Sequence, residues 1–231
     1  MMYIENIFIC IAVPMLLSLL FIPGEARKYT FFVTTGMGMC MLSAYVNSFF
    51  MNYYGADAVQ AAIEITPVCE EVMKLFPLLF YILIFEPKKE EIPRTAIALA
   101  VGFATFENIC YLTENGAADF EILVVRGFAS GALHILCGIL MEFGITYIFW
   151  RRTLAITGMV GLLGACSVFH AIYNLLVSAE GNWRAFGYLF PTVMILGLFA
   201  GWKSIIKLKE EKKFFHLGKI SERIFFIVSF V

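Results

Sequence analysis

Residues 60–85 read QAAIEITPVCEEVMKLFPLLFYILIF, and this stretch decides the fold. At about 1.5 Å per residue it is long enough to cross a hydrocarbon layer of about 30 Å. Thirteen of its residues are Leu, Ile, Phe or Val, yet Glu70, Glu71 and Lys74 lie in its middle. A charge at a helix centre costs roughly 2.5–3.5 kcal/mol on insertion scales, whereas each strong apolar residue returns about 0.3–0.6. Three central charges therefore cost up to about 8–10 kcal/mol, against about 4–8 recovered from the apolar residues. Alone, this helix inserts marginally. Neighbouring helices must hold its charges, and intramembrane ionisable groups mark a functional site by default.

The same apolar character runs through the whole chain of 231 residues, 61% hydrophobic and only 15% charged. A soluble domain is nearer half apolar and a quarter charged. The balance of 17 Lys+Arg against 18 Asp+Glu excludes a broad basic face for nucleic acid, and 24 Phe with 10 Tyr exclude disorder. The six cysteines fall about one per apolar segment, never as C-x-x-C, so they form neither a disulfide framework nor a zinc knuckle. The composition predicts an all-α, polytopic membrane helix bundle of about seven spans: 4–22, 29–50, 60–85, 95–113, 122–149, 153–178 and 185–202. The first carries no Lys or Arg before it and no A-x-A after it, which reads as a span and not a cleaved leader.

Lys and Arg alternate between successive connections, and seven more follow Trp202, from Lys203 to Arg223. The positive-inside rule then places the N-terminus outside and the C-terminus in the cytoplasm. Residues 1–202 form the expected transmembrane domain, and 203–231 a basic cytoplasmic tail. Its last eight residues, Ile224 to Val231, are too short to cross and suit an interfacial segment. Gly127/Gly131, Gly158/Gly161/Gly164 and Gly197/Gly201 read as close-packing faces between helices.

The remaining buried ionisable groups are Glu107, His134, Glu142 and His170. Measured from the outer end at about 1.5 Å per residue, Glu107 lies about 10 Å deep, His170 about 12 Å, Glu70 about 15 Å and His134 about 18 Å. Four helices thus offer polar groups at one level in the outer half of the bilayer. Glu142 sits nearer the cytoplasmic end, and with Glu64 and Asn47 reads as structural; His216 reads as a solvated tail residue. Within helices, Lys74 is i+4 from Glu70 and i+3 from Glu71, so one ammonium can neutralise either carboxylate. His170 and Asn174 are i,i+4 and share a face, Phe103 lies one turn from Glu107, and Gly131 and Gly138 leave room beside His134.

At these residues the sequence resembles the PrsW family of intramembrane proteases. The matching pieces are Glu70-Glu71-x-x-Lys74, Gly102-Phe103-x-x-x-Glu107-Asn108, Arg126…His134-x-x-x-Gly138 and His170-x-x-x-Asn174, in that order on consecutive spans within 63–177. The resemblance implies site-one cleavage of a single-pass membrane substrate, typically an anti-sigma factor, on the extracytoplasmic side of a bacterial cytoplasmic membrane. The family is similar in turn to the CAAX prenyl endopeptidases and to bacteriocin-processing or self-immunity proteins. Those have His where this chain has Glu107, which favours PrsW.

Peptide hydrolysis needs an activated water, a proton for the leaving amine and donors for the oxyanion. Glu70 or Glu71 is the expected base, Lys74 holds the other carboxylate, and His170 with Asn174 supplies oxyanion donors. A metallo version draws on Glu107, His134, His170 and one of the paired glutamates as zinc ligands, with a position left for water. H-E-x-x-H is absent, and both versions stay open on the sequence. Glu70, Glu71, Lys74, Glu107, His134, His170 and Asn174 are the candidate catalytic residues either way. Ser130 at i,i+4 from His134 raises a serine-protease reading, but the G-x-S-G motif of rhomboid-type enzymes is missing. From other classes, a proton-coupled transporter or a catalytically silent immunity protein could use the same buried cluster. No inverted repeat of the transporter kind is evident.

Overall fold

The computed structural model describes residues 3–115, 120–148 and 155–210. Among these, every regular element is a helix. Seven are long: α1 (Ile4–Ser18), α2 (Gly24–Tyr54), α3 (Thr66–Phe85), α4 (Glu91–Asn115), α5 (Phe120–Ile148), α6 (Ala155–Ser178) and α7 (Asn182–Glu210). A single turn, Ala58–Gln60, and a π-helical segment, Ala61–Ile65, lead into α3. The tail beyond Glu210, including His216 and the expected interfacial segment, lies outside the described residues.

Among the described residues, four helices are long and apolar enough to cross a membrane, over Glu91–Thr113, Leu123–Glu142, Thr157–Ser178 and Asn182–Gly201. The other three differ for identifiable reasons. α1 has 15 residues, about 22 Å of helix, and stops at Ser18, four residues short of the expected span. α2 opens on Glu25, Arg27 and Lys28, and α3 carries the three central charges. The expected start of the third span is also rebuilt, because Pro67 stands at its first turn and the preceding residues widen into the π segment.

The chain divides into two compact units, Met1–Thr192 and Val193–Val231. The first unit is organised around α4, whose Ala98, Leu99, Ala100, Phe103, Ala104 and Phe106 are all buried. It is flanked by α2, α3 and α5, and α6 closes on α3 and α5. Small side chains let α2 and α4 meet backbone to backbone. A Cβ on Gly102 would overlap the Val33 carbonyl, and one on Gly36 would overlap that of Leu99. Large apolar side chains on outer faces, such as Phe76, Phe80, Leu83 and Ile84 of α3 and Val160, Val168 and Ile172 of α6, are exposed, as a lipid-facing surface requires.

Of the glycines expected to form packing faces, Gly127, Gly131, Gly161 and Gly164 have open space among the described residues where a side chain would stand. Close approach falls instead on Gly36, Gly102, Gly138 against Ala96 and Ala100, Gly144 against Leu162, and Gly187 against Leu176. A small-x-x-small pattern records where a helix could be approached; the partner's large side chains decide where it is.

Candidate active site

Helix α3 brings Glu70, Glu71 and Lys74 to the inner side of the bundle, and all three are buried. Lys74 Nζ is 2.6 Å from Glu71 Oε1 and 2.9 Å from Nδ1 of His134 on α5. His134 is fully enclosed and turns its Nε2 to Glu107 Oε2 of α4 at 2.6 Å. An ammonium can only donate, so His134 Nδ1 accepts from Lys74 and the ring proton sits on Nε2, donated to Glu107. Glu107 is further bonded by Arg126 at 2.7 Å and by Ser130 Oγ at 2.9 Å. A continuous hydrogen-bonded chain therefore runs Glu71, Lys74, His134, Glu107, Arg126 across three helices. Phe103 seals it, with His134 at 5.2 Å and the Lys74 ammonium at 5.0 Å from its ring centre.

His170 of α6 joins this chain through Glu71, its Nδ1 lying 3.0 Å from Glu71 Oε1. A carboxylate fixing one imidazole nitrogen leaves the other, Nε2, with its lone pair toward the site. That atom is 3.9 Å from Glu70 Oε2, which is buried and has no hydrogen-bond partner among the described residues. The His170 and His134 rings meet edge to face at 5.3 Å.

Glu70, His134 and His170 each offer a ligand atom, all within 4.8 Å of one another. The donor chemistry fits a divalent cation. Glu70 Oε2 and His170 Nε2 face each other 3.9 Å apart, too far for a direct hydrogen bond, and both can donate an electron pair to a cation. With both imidazoles neutral, the carboxylates of Glu70, Glu71 and Glu107 stand against the two cations Lys74 and Arg126 among the described residues, which leaves one negative charge, and Glu70 is the carboxylate without a bonded partner. Glu71 on His170 and Glu107 on His134 form the carboxylate–histidine pairs that orient imidazole ligands at metal centres. His134 has both nitrogens engaged and would give up Lys74 to bind.

The remaining expected residues fall around this core. Asn174 stands apart from the carboxylates: its Nδ2 donates to the Ala62 carbonyl at 2.7 Å. The cause lies in the π segment. Thr66 N–H bonds the Ala61 carbonyl, one residue further back than in an α-helix, and the next nitrogen is that of Pro67, which has no hydrogen. The Ala62 carbonyl is thereby orphaned, and Asn174 satisfies it. Glu107 belongs to the Arg126–Ser130–His134 side and is not among the three grouped ligands. Ser130 gives its hydroxyl to Glu107, not to His134. Glu64 is exposed and bonded by Gln60, Glu142 is buried, and the Oδ1 of Asn47 is buried without a partner among the described residues. Both glycines leave room beside His134: Gly131 faces open space among the described residues, and Gly138 is approached by the Ala96 backbone.

The sequence names Arg126 and Ser130 but does not show that both anchor Glu107. Arg126, Ser130 and His134 recur every four residues on one face of α5, and that periodicity was the available signal.

A family model for the PrsW family of intramembrane metalloproteases matches residues 25–202. The chain belongs to the PrsW family. It is an intramembrane protease and a multi-pass membrane protein, and the matched region contains every candidate residue above. No curated protein and no solved structure matches significantly.

Proposed function

We propose that this PrsW-family protein cleaves a single-pass membrane protein, of the anti-sigma-factor kind, near the extracytoplasmic side of the bacterial cytoplasmic membrane. On the topology expected from sequence, seven spans with the N-terminus outside, Glu70, Glu107, His134 and His170 stand in the outer half of the bilayer. The single observation carrying the chemistry is the unpartnered Glu70 Oε2 opposite His170 Nε2.

Glu70, His134 and His170 would hold a zinc ion, since two imidazoles with one carboxylate make a catalytic zinc set. When bound, zinc lowers the pKa of a water and polarises a carbonyl. The chain's own residues do the rest. Glu71 keeps His170 Nε2 aimed at the reaction centre. A carboxylate has two oxygens, so Glu70 can face the cation with one and take the proton of the attacking water with the other. Lys74, freed from His134 Nδ1, carries a proton within reach of a leaving amine. Phe103 and the buried face of α4 exclude bulk water from the cluster.

The test is reconstitution of the purified protein in liposomes with a single-pass reporter. Wild type should release a fragment, chelation should stop it and zinc should restore it. Glu70→Gln and His170→Ala should release none. Ion flux without cleavage would instead favour the transporter class.

A further inference from the structure

The Tyr173 side chain is 3% exposed, and its hydroxyl has no hydrogen-bond partner among the described residues. A buried phenol normally finds a partner, and an orphaned one carries an uncompensated desolvation cost. Tyr173 follows His170 by three residues on α6, so the two stand on one face a turn apart. Tyr173 belongs to the same buried core as Phe103, Phe106 and Leu133, the residues that neighbour Glu107 and His134 along α4 and α5. Arg126 Nε is likewise buried without a partner among the described residues, but its guanidinium is already committed to Glu107 through Nη2, and the other donors of the cluster are occupied. Ser130 and Arg126 Nη2 hold Glu107, Lys74 holds Glu71 and His134, and Asn174 holds the Ala62 carbonyl.

We propose that the Tyr173 hydroxyl is the oxyanion donor of this protease, a further catalytic residue in the place sequence reasoning gave to Asn174. This rests on the peptidase reading above. Water oxygen bonds the scissile carbon, and the carbonyl π pair moves onto its oxygen. Tyr173 keeps its proton and donates a hydrogen bond to that oxygen. When the C–N bond breaks, the pair returns to re-form the carbonyl and the amine leaves with a proton from Lys74, which the proton that Glu70 took from the water replaces. A donor without a partner in the free enzyme gives up no bond when the negative charge develops, so its contribution is confined to the transition state.

The experiment compares wild type, Tyr173→Phe and a chain with 3,5-difluorotyrosine at position 173, all in liposomes with the single-pass reporter. Removing one oxyanion donor lowers kcat about 10²–10³-fold. Tyr173→Phe should show that loss with KM unchanged. The fluorinated residue keeps the ring and hydroxyl in place, so it decides the question even if the Phe variant folds poorly. Its lower hydroxyl pKa should change kcat and shift the alkaline limb of the pH–rate profile downward. Cleavage by Tyr173→Phe within about twofold of wild type, or a difluorotyrosine chain with an unaltered kcat and profile, overturns the proposal while the peptidase reading stands. A wild type that leaves every reporter intact overturns the peptidase reading, and the role of Tyr173 with it.

Discussion

Glu70 and Glu71 are neighbours in sequence and opposites in environment. Glu71 Oε1 is bonded by both Lys74 and His170, at 2.6 and 3.0 Å, while Glu70 Oε2 is bonded by nothing and faces His170 Nε2 at 3.9 Å. Successive side chains on a helix point about 100° apart, so His170 can contact both only by standing between them, one ring nitrogen for each. The imidazole is thereby the divider between a fixed carboxylate and an open one.

That division predicts different failures for the two isosteric variants. Glu70→Gln should fold normally and lose cleavage by at least about 10²-fold, the scale of a lost acid–base group. Glu71→Gln should lose stability, because it leaves the Lys74 ammonium buried without its counter-ion, a change worth about 3–5 kcal/mol. Pairing Glu71→Leu with Lys74→Met should recover stability but not activity. Thermal unfolding in detergent, read beside reporter cleavage, separates these cases. Equal unfolding of both single variants would mean the ion pair is not what distinguishes them.

Much of this was legible in sequence, for a physical reason. Charges in a 60–85 stretch otherwise able to span are too costly to be incidental, and helical spacing put Lys74 within reach of either glutamate. Spacing could not say which glutamate it would choose, since that depends on where α6 sets His170. Nor could it show Asn174 turning away to Ala62, because the π segment arises from Thr66 and Pro67 acting together on two carbonyls. The glycine stripes misled for a similar reason. Close packing is a property of two surfaces, and Gly102 meets Val33 because α2 presents backbone there.

The grouping of Glu70, His134 and His170 predicts how metal content responds to substitution. Glu70→Gln and His170→Ala should each lower bound zinc in purified protein, measured by elemental analysis. Glu107→Gln should keep most of it, because Glu107 touches His134 and not the other two ligands. Zinc lost with Glu107→Gln and kept with Glu70→Gln would move the centre to the Glu107, His134 and His170 set.

Backbone contact between α2 and α4 predicts that Gly102→Ala and Gly36→Ala destabilise by about 1–3 kcal/mol, the usual result of overpacking a tight core. Gly131→Ala, on the same helix face as much of the cluster but with open space at its Cβ, should be close to neutral. Unfolding temperatures of the three variants give the check, and a destabilising Gly131→Ala would show that a neighbour packs there after all.

Asn174 gives the last test, because its bond to Ala62 crosses from α6 to the segment that leads into the paired glutamates. Removing the amide leaves the Ala62 carbonyl without either its α-helical or its π-helical donor, since Thr66 N–H is committed to Ala61 and Pro67 has none. The bond contributes about 0.5–1.5 kcal/mol, too little for Asn174→Ala to unfold the bundle. It is enough to loosen residues 61–65, whose backbone has no spare donor to replace the lost one. Asn174→Ala should therefore raise amide hydrogen exchange at 61–66 selectively and lower cleavage modestly, about tenfold, through misplacement of Glu70. Asn174→Asp should do the same, since an ionised carboxylate cannot donate to a carbonyl, and Asn174→Gln should recover part of the rate if its longer amide still reaches Ala62. If exchange at 61–66 stays at the wild-type level while cleavage falls by hundreds-fold, Asn174 acts on substrate directly and the anchoring role is refuted.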